Sequence, residues 1–427
     1  MPYMTARPPG CFRCLRLELL TLVAVMLAAA DQAQANGAFP DEFSIHFPVN
    51  APHRLLMGAN FGLLVSEDDG ATWRYSCEPW VVSSSDAALT TVNVSFYQVT
   101  ADGAVLADSV NITRSSDVAC TWPISTGSVG GRLVVDMFPD PGDASFVLAI
   151  VVTSSGSFIV ASHDGGKTFD PPHLYDTADL LTGVEIARSR PGVVYATSIS
   201  TNGKVATFLA STNSGLTWTP TILAVPAGTQ ARILAIDPAD EKKVYLRLLA
   251  GVSDAVSITA DGGVSFRTAL SISGQFSSFL RATDGSLLAG TLDGKLYVQP
   301  PGATGFTTRN APHLRCLGQR PGTTRIYACG DLFLDDFSLG YSDDGGQTFH
   351  KLMKFTDLLG PLTCPSVQTA CAAHWDRIRQ VLAIAPDAGP PGSPPPAAKA
   401  SSHCASVGAD ALALLVLFAF SWRRGKS

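Results

Sequence analysis

A five-point pattern of Ser66, Asp68, Gly70, Thr72 and Trp73 returns as Ser162, Asp164, Gly166, Thr168 and Phe169, and again as Ser342, Asp344, Gly346, Thr348 and Phe349. A repeat of fixed period leaves a chain few architectures. Looser copies fall between them: Ser211, Asn213, Gly215, Thr217 and Trp218, then Thr259, Asp261, Gly263, Ser265 and Phe266. Another, Ser115, Asp117, Ala119, Thr121 and Trp122, lies midway between the first two strict copies. The stretch Gln299 to Phe306 keeps only a closing aromatic and stands where a seventh copy is due. The outermost starts, Ser66 and Ser342, lie 276 residues apart, so six intervals give a period of 46. That length suits a four-stranded propeller blade.

The chemistry of the pattern points to a turn. An Asp side chain can accept hydrogen bonds from backbone N–H groups close by, and Gly tolerates positive φ. The Thr and the aromatic then lead into a strand, where β-branched and ring side chains pack well. Between copies the chain reads as strands. Val184 and Ile186 precede a Pro191-Gly192 turn, Val193 to Ala196 precede Asn202-Gly203, and Val205 to Ala210 run into the next copy, with a fourth strand from Trp218. The expectation is an all-β, seven-bladed β-propeller of four-stranded antiparallel blades, followed by a short C-terminal helix, a linker and a hydrophobic tail.

On these residues the chain resembles the Asp-box proteins of the bacterial neuraminidase (BNR) repeat group, part of the sialidase superfamily. The resemblance spans roughly residues 40 to 360. It implies a β-propeller whose boxes sit on peripheral turns between the third and fourth strands of each blade, away from the central cleft where ligands bind. Asp68, Asp117, Asp164, Asn213, Asp261 and Asp344 are therefore expected to be turn staples, together with Ser66, Ser162 and Ser342, with Gly70, Gly166, Gly215, Gly263 and Gly346, and with Trp73, Trp122, Phe169, Trp218, Phe266 and Phe349. No catalytic, cofactor or metal residue is assigned.

Several activities lack their motifs. A sialidase needs three arginines around a carboxylate, and its Arg-Ile-Pro signature is missing here, although Arg132, Arg247 and Arg281 are present. There is no His-Glu-x-x-His, no Gly-x-Ser-x-Gly and no calcium loop. The net charge of −6 and the lack of basic clusters in the repeats argue against nucleic acid. The reading is a non-catalytic binding or scaffold module for an extracellular protein or glycan, with a glycan-processing hydrolase of sialidase or glycosidase type as the alternative.

Both ends read as processing segments. Residues 1–35 form a signal peptide, with Arg7, Arg13 and Arg16, an apolar run from Leu19 to Ala30, and Ala33-Gln34-Ala35 before Asn36. The propeller is expected over 36–362, a disulfide loop and amphipathic helix over 363–384, and a Pro/Ala-rich linker over 385–403. In 404–427, Cys404, an apolar run and Arg423-Arg424 resemble the MYXO-CTERM sorting tail of myxobacterial surface proteins. That resemblance implies display at the surface of a bacterium, or release outside the cell, and a membrane contact through the tail that is transient if the tail is removed.

Export would make the cysteines readable. Cys77, Cys120, Cys316, Cys329, Cys364 and Cys371 form an even set of disulfide candidates with fifteen pairings open. Proximity in sequence favours Cys316 with Cys329 and Cys364 with Cys371, which leaves Cys77 for Cys120. A zinc site would want a second Cys-x-x-Cys, and none occurs in the mature region. His374 and Trp375, on the predicted helix, read as packing residues.

Overall fold

A computed structural model describes residues 42–83, 96–108 and 111–384; the proposed signal peptide, the linker and the sorting tail with Cys404, Arg423 and Arg424 lie outside the described residues. Seven sheets succeed one another along the chain, each running outward as an antiparallel meander. The first is β1 (Glu42–His46), β2 (Leu55–Ala59), β3 (Gly62–Ser66) and β4 (Arg74–Cys77); a helical turn, α1 (Glu78–Val81), follows it. The second holds β5 (Phe96–Val99), β6 (Val105–Asp108) and β7 (Ile112–Ser115), and a lone bridge from Thr113 to Ile124 stands in the fourth place. Pro123, which has no N–H to donate, shortens that strand.

The third blade, β9 (Leu133–Pro139), β10 (Val147–Thr153), β11 (Gly156–Ser162) and β12 (Thr168–Thr177), gains a parallel edge strand, β8 (Thr126–Gly127). Blades four to seven are β13 (Leu180–Ile186) to β16 (Thr219–Ile222), β17 (Gln230–Asp237) to β20 (Arg267–Ser273), β21 (Phe276–Arg281) to β24 (Thr307–Asn310), and β25 (Cys316–Gln319) to β28 (His350–Met353). The fold is a seven-bladed β-propeller.

A blade sandwiched between two others buries both faces. Leu55-Leu56-Met57-Gly58-Ala59 is accordingly buried at every position and shows none of the alternation of a half-exposed strand. Each adjacent pair of blades shares an apolar core. Leu106 and Ile112 meet Val134, Val147 and Val160 between the second and third, and Tyr245, Val256 and Ile258 meet Phe276, Leu287 and Ala289 between the fifth and sixth. At the last junction Ile45, Leu55 and Met57 of the first blade pack with Cys316, Tyr327 and Leu339 of the seventh, which closes the ring. Each fully buried large side chain contributes about 1.5–3 kcal/mol.

The two ends are not woven into one blade, so closure needs other means. After β28 the chain returns to the first blade and lies parallel to β4: the Tyr75 N–H donates to the Gly360 carbonyl, and the Leu362 N–H donates to the Tyr75 carbonyl. The helix α2 (Pro365–Val381) then packs Val367, Cys371 and Ile378 into the closing core. The disulfides fix it there, and they correct two of the proposed pairings. Cys371 joins Cys77 and Cys364 joins Cys120, while Cys316 pairs with Cys329 as proposed. Cys364 caps α2 and Cys371 lies seven residues on, about 10 Å along the axis at 1.5 Å per residue, beyond the ~7 Å a disulfide spans. Sequence proximity misled because the helix lies where two neighbouring blades both reach it.

His374 is buried in this clasp, with Nδ1 3.2 Å from the Tyr75 hydroxyl. Burial, aided by Arg377, pushes its imidazole down to about 4. Because that is below the unfolded value, the stabilisation is complete above about pH 6.5 and is lost as pH falls towards 4. The melting-temperature advantage of the wild type over His374→Gln is expected to be largest above pH 6.5 and to shrink towards pH 4 in calorimetry.

The recurring pattern forms the same network in each copy. In the first, the Ser66 hydroxyl donates to Asp68 Oδ1 (2.8 Å) and accepts the Gly70 N–H (2.8 Å). Asp68 also accepts the Thr72 N–H (2.8 Å) and the Thr72 hydroxyl (2.6 Å). The network recurs at Ser115 and Asp117, at Ser162 and Asp164, at Thr259 and Asp261, and at Ser342 and Asp344. Asn213 keeps it by donating through Nδ2 to Thr217. In the eroded copy the Gln299 side chain instead donates to the Ala303 carbonyl, at the same turn between third and fourth strands.

The box glycine serves the preceding blade as well as the turn. A Cβ on Gly263, at φ +97°, would stand 2.3 Å from Phe208 of the preceding blade, and one on Gly166 2.7 Å from Leu106. Gly263→Ala is expected to destabilise the protein by ~2–3 kcal/mol through overpacking and backbone strain. The control Gly345→Ala in the seventh blade's box, whose Cβ meets nothing within 4 Å, should lose only ~1 kcal/mol; urea unfolding measures both.

Candidate functional site: the axial channel and the rim opposite the boxes

Antiparallel meanders sort the loops onto two rims. First-to-second and third-to-fourth strand turns, including every box, lie on one; second-to-third turns and the starts of the first strands lie on the other. The boxed carboxylates are therefore turned away from the rim that gathers the remaining loops. They are also saturated with donors. Burial works against the Asp68 anion, but the Thr72 hydroxyl and amide and the Ser66 hydroxyl outweigh it and hold the carboxyl below its usual range. At Asp344 the Thr348 hydroxyl and amide, with Ser342, do the same more strongly. Such anions are poor bases.

The innermost strands line the axis, and three of their residues form a charged network across the third to fifth blades. Asp136 on β9 accepts the Val184 N–H at Oδ2 (2.9 Å) and faces Arg232 on β17 at Oδ1 (3.5 Å). Arg232 is half exposed and the Asp136 side chain 17% exposed. Glu185 on β13 is pushed up to about 8 by burial and then by Asp136. Asp108, at the end of β6, is pushed up to about 8 by the same two causes in the same order. One guanidinium thus serves several carboxyls, and two of those are pushed well above their usual range. The sequence does carry a signal for them: a lone acid inside an apolar inner strand, as in Val134-Val135-Asp136-Met137 and Val184-Glu185-Ile186.

The arginines that a sialidase would gather are dispersed. Arg132 starts the inner strand of the third blade, Arg247 is bound to Asp254 (2.6 Å) in the fifth, and Arg281, at the other end of its strand in the sixth, is bound to Asp237 (3.0 Å). Among the described residues no group of three or more His, Cys, Asp or Glu side chains is placed to hold a metal ion.

The rim opposite the boxes carries exposed apolar side chains at the channel mouth and on the turns: Phe96, Leu133, Leu180, Val252, Leu292 and Phe333. It also carries a cleft of about 450 Å³ over the third blade, lined by Arg132, Thr153, Ser155, Phe158, His173 and Asp176. On the box rim a cavity of about 100 Å³ between the sixth and seventh blades has room for only a few waters.

No family model matches the sequence, and no curated protein matches it. Solved structures do. The extracellular domain of BT4673 from B. thetaiotaomicron aligns with a TM-score of 0.51 at 14% identity, over 75% of this chain and 43% of that one. What it shares is the propeller. PorZ, an essential bacterial surface component of the type-IX secretion system of Porphyromonas gingivalis, aligns at 0.47 and 14% identity, over 74% of this chain and 39% of that one. The GH74 xyloglucanase from Xanthomonas campestris aligns at 0.38 and 13% identity, over 73% and 78%. The chain spans about two fifths of the length of the first two.

The raised Glu185 carboxyl has a definite pH signature. A folded value above the unfolded one means that stability is full below about pH 4.5 and is lost as pH rises through about 8. Glu185→Gln, which keeps the shape without the charge, is expected to gain melting temperature on the wild type progressively over that window and level off above it; thermal scans at fixed ionic strength measure the difference.

Proposed function

We propose that this protein is an exported, surface-displayed propeller that binds a partner with the rim opposite its boxes and has no catalytic role of its own. The observation that carries the reading is the asymmetry of the two rims: one is committed to hydrogen-bonded turns, and the other gathers a cleft and exposed apolar residues around the channel mouth. Three disulfides support an oxidising compartment. The signal-like residues 1–35 and the sorting-like residues 404–427 support export and display, and the surface and extracellular roles in the names of PorZ and BT4673 agree with them. The likeness of the boxes to BNR repeats and of the tail to MYXO-CTERM segments supports this reading, and nucleic acid is not expected among its partners.

A glycan-processing hydrolase is the second reading, favoured by one feature. Glu185, whose carboxyl is raised to about 8 by burial and by Asp136 on the channel wall, has the character of a general acid.

A glycan and protein array distinguishes the two. Combined Phe96→Ser, Leu133→Ser and Leu180→Ser should lower array binding at least tenfold, while Leu216→Ser with Val264→Ser on the box rim should leave it unchanged. Equal losses on both rims would remove the binding proposal, and release of reducing ends from an array glycan, abolished by Glu185→Gln, would establish the hydrolase.

A further inference from the structure

We infer that the cleft over the third blade is a binding site for a hydroxy-carboxylate of sugar size, such as a sugar acid, placed off the propeller axis. The inference rests on the reading of this rim as the binding face and adds the chemistry of its ligand.

The cleft exists because the third blade departs from the plan of the others. Ala161 pairs with Asp170 and Ile159 pairs with Tyr175, so β11 advances two residues while β12 advances five. The surplus falls at Pro171-Pro172, which cannot donate to the ladder, and the chain bulges there. His173 follows at once and lies flat on Phe158, with ring centroids 3.7 Å apart and planes 3° from parallel. Asp176 fixes the imidazole through Nδ1 at 2.7 Å. The Arg132 guanidinium also stands over the Phe158 ring, 5.6 Å from its centre, and no carboxylate of the described protein pairs with it. Phe158 itself is buried, so it serves as the rigid backing for the two polar groups in front of it.

The lining makes a mixed demand on a ligand. An unpaired guanidinium at a cleft offers a planar fork that suits the two oxygens of a carboxylate. The Asp176 side chain is 69% exposed and has one oxygen on His173, which leaves the other to accept from hydroxyl groups. Thr153 and Ser155, whose hydroxyls lie 3.1 Å apart at the turn, add neutral donors and acceptors. Asp176 repels a phosphate dianion more strongly than a carboxylate monoanion seated on Arg132, and an apolar ligand would strand all of these groups. A molecule with one carboxylate and several hydroxyls satisfies them together, and about 450 Å³ lies within the range of small-molecule sites.

Isothermal titration of the full chain with galacturonate and glucuronate, and with galactose as the neutral counterpart, tests the assignment. At least one acid is expected to bind, and galactose to bind at least tenfold more weakly. Arg132→Gln and His173→Ala should each weaken the acid at least tenfold. Ser155→Trp, at an exposed turn where a large side chain fills the cleft without touching the core, should abolish binding while melting temperature stays unchanged. No binding of either acid, equal binding of galactose, or full affinity in Arg132→Gln or Ser155→Trp would each overturn the inference. If the acids fail while the apolar rim variant still loses its array partner, the inference falls and the binding reading stands; if the rim variant keeps its partner while the acids bind at the cleft, the reverse holds.

Discussion

Closure of the ring is the constraint on which the rest of this molecule depends. A blade offers two apolar faces and cannot bury either alone, so each of the seven shared cores needs both of its walls. Six of them lie between blades adjacent in sequence. The seventh, between Ile45 and Tyr327, joins the two ends of the repeat array and has no covalent neighbour to hold it. The structure strengthens that junction from outside: a strand-like return along Tyr75, the helix Pro365–Val381, and two disulfides that bind the helix to the first and second blades.

The boxes belong to the same logic. Their Ser, Asp and Thr side chains close a hairpin, but their glycine approaches the preceding blade, as Gly70 does Leu352 across the seam and Gly346 does Leu296. One short motif thus fixes a turn and a blade spacing together. Its carboxylates are held as anions and saturated by local N–H and O–H donors, whereas the carboxyls of the channel wall around Asp136 and the broken repeat at Pro171-Pro172 stand outside that pattern.

The irregularities of the repeat gather the polar groups. Where the meander repeats without change, residues are spent on packing. At the third blade a two-against-five register step carries His173 out of the ladder, and Asp136, Glu185 and Arg232 bring ionisable groups together on the inner strands of three blades. Polar groups half-buried on inner strands need partners, and here the partners come from different blades, which couples the channel wall to the integrity of the ring.

The sequence by itself determined the blade period, the third-to-fourth strand position of the boxes, the amphipathic helix and the readiness of six cysteines to pair, because each of these is written in local spacing or in side-chain hydrogen bonding within a few residues. Even the eroded copy at Gln299 marked its turn through its aromatic and its place in the period. The tertiary structure alone decided that Cys77 meets Cys371 and Cys120 meets Cys364, that Asp136 faces Arg232, and that Arg132 and His173 share a cleft. These contacts join residues that lie far apart in the chain, and they depend on how the blades pack and where the last segment returns. No local pattern encodes such distances; only the closed ring sets them.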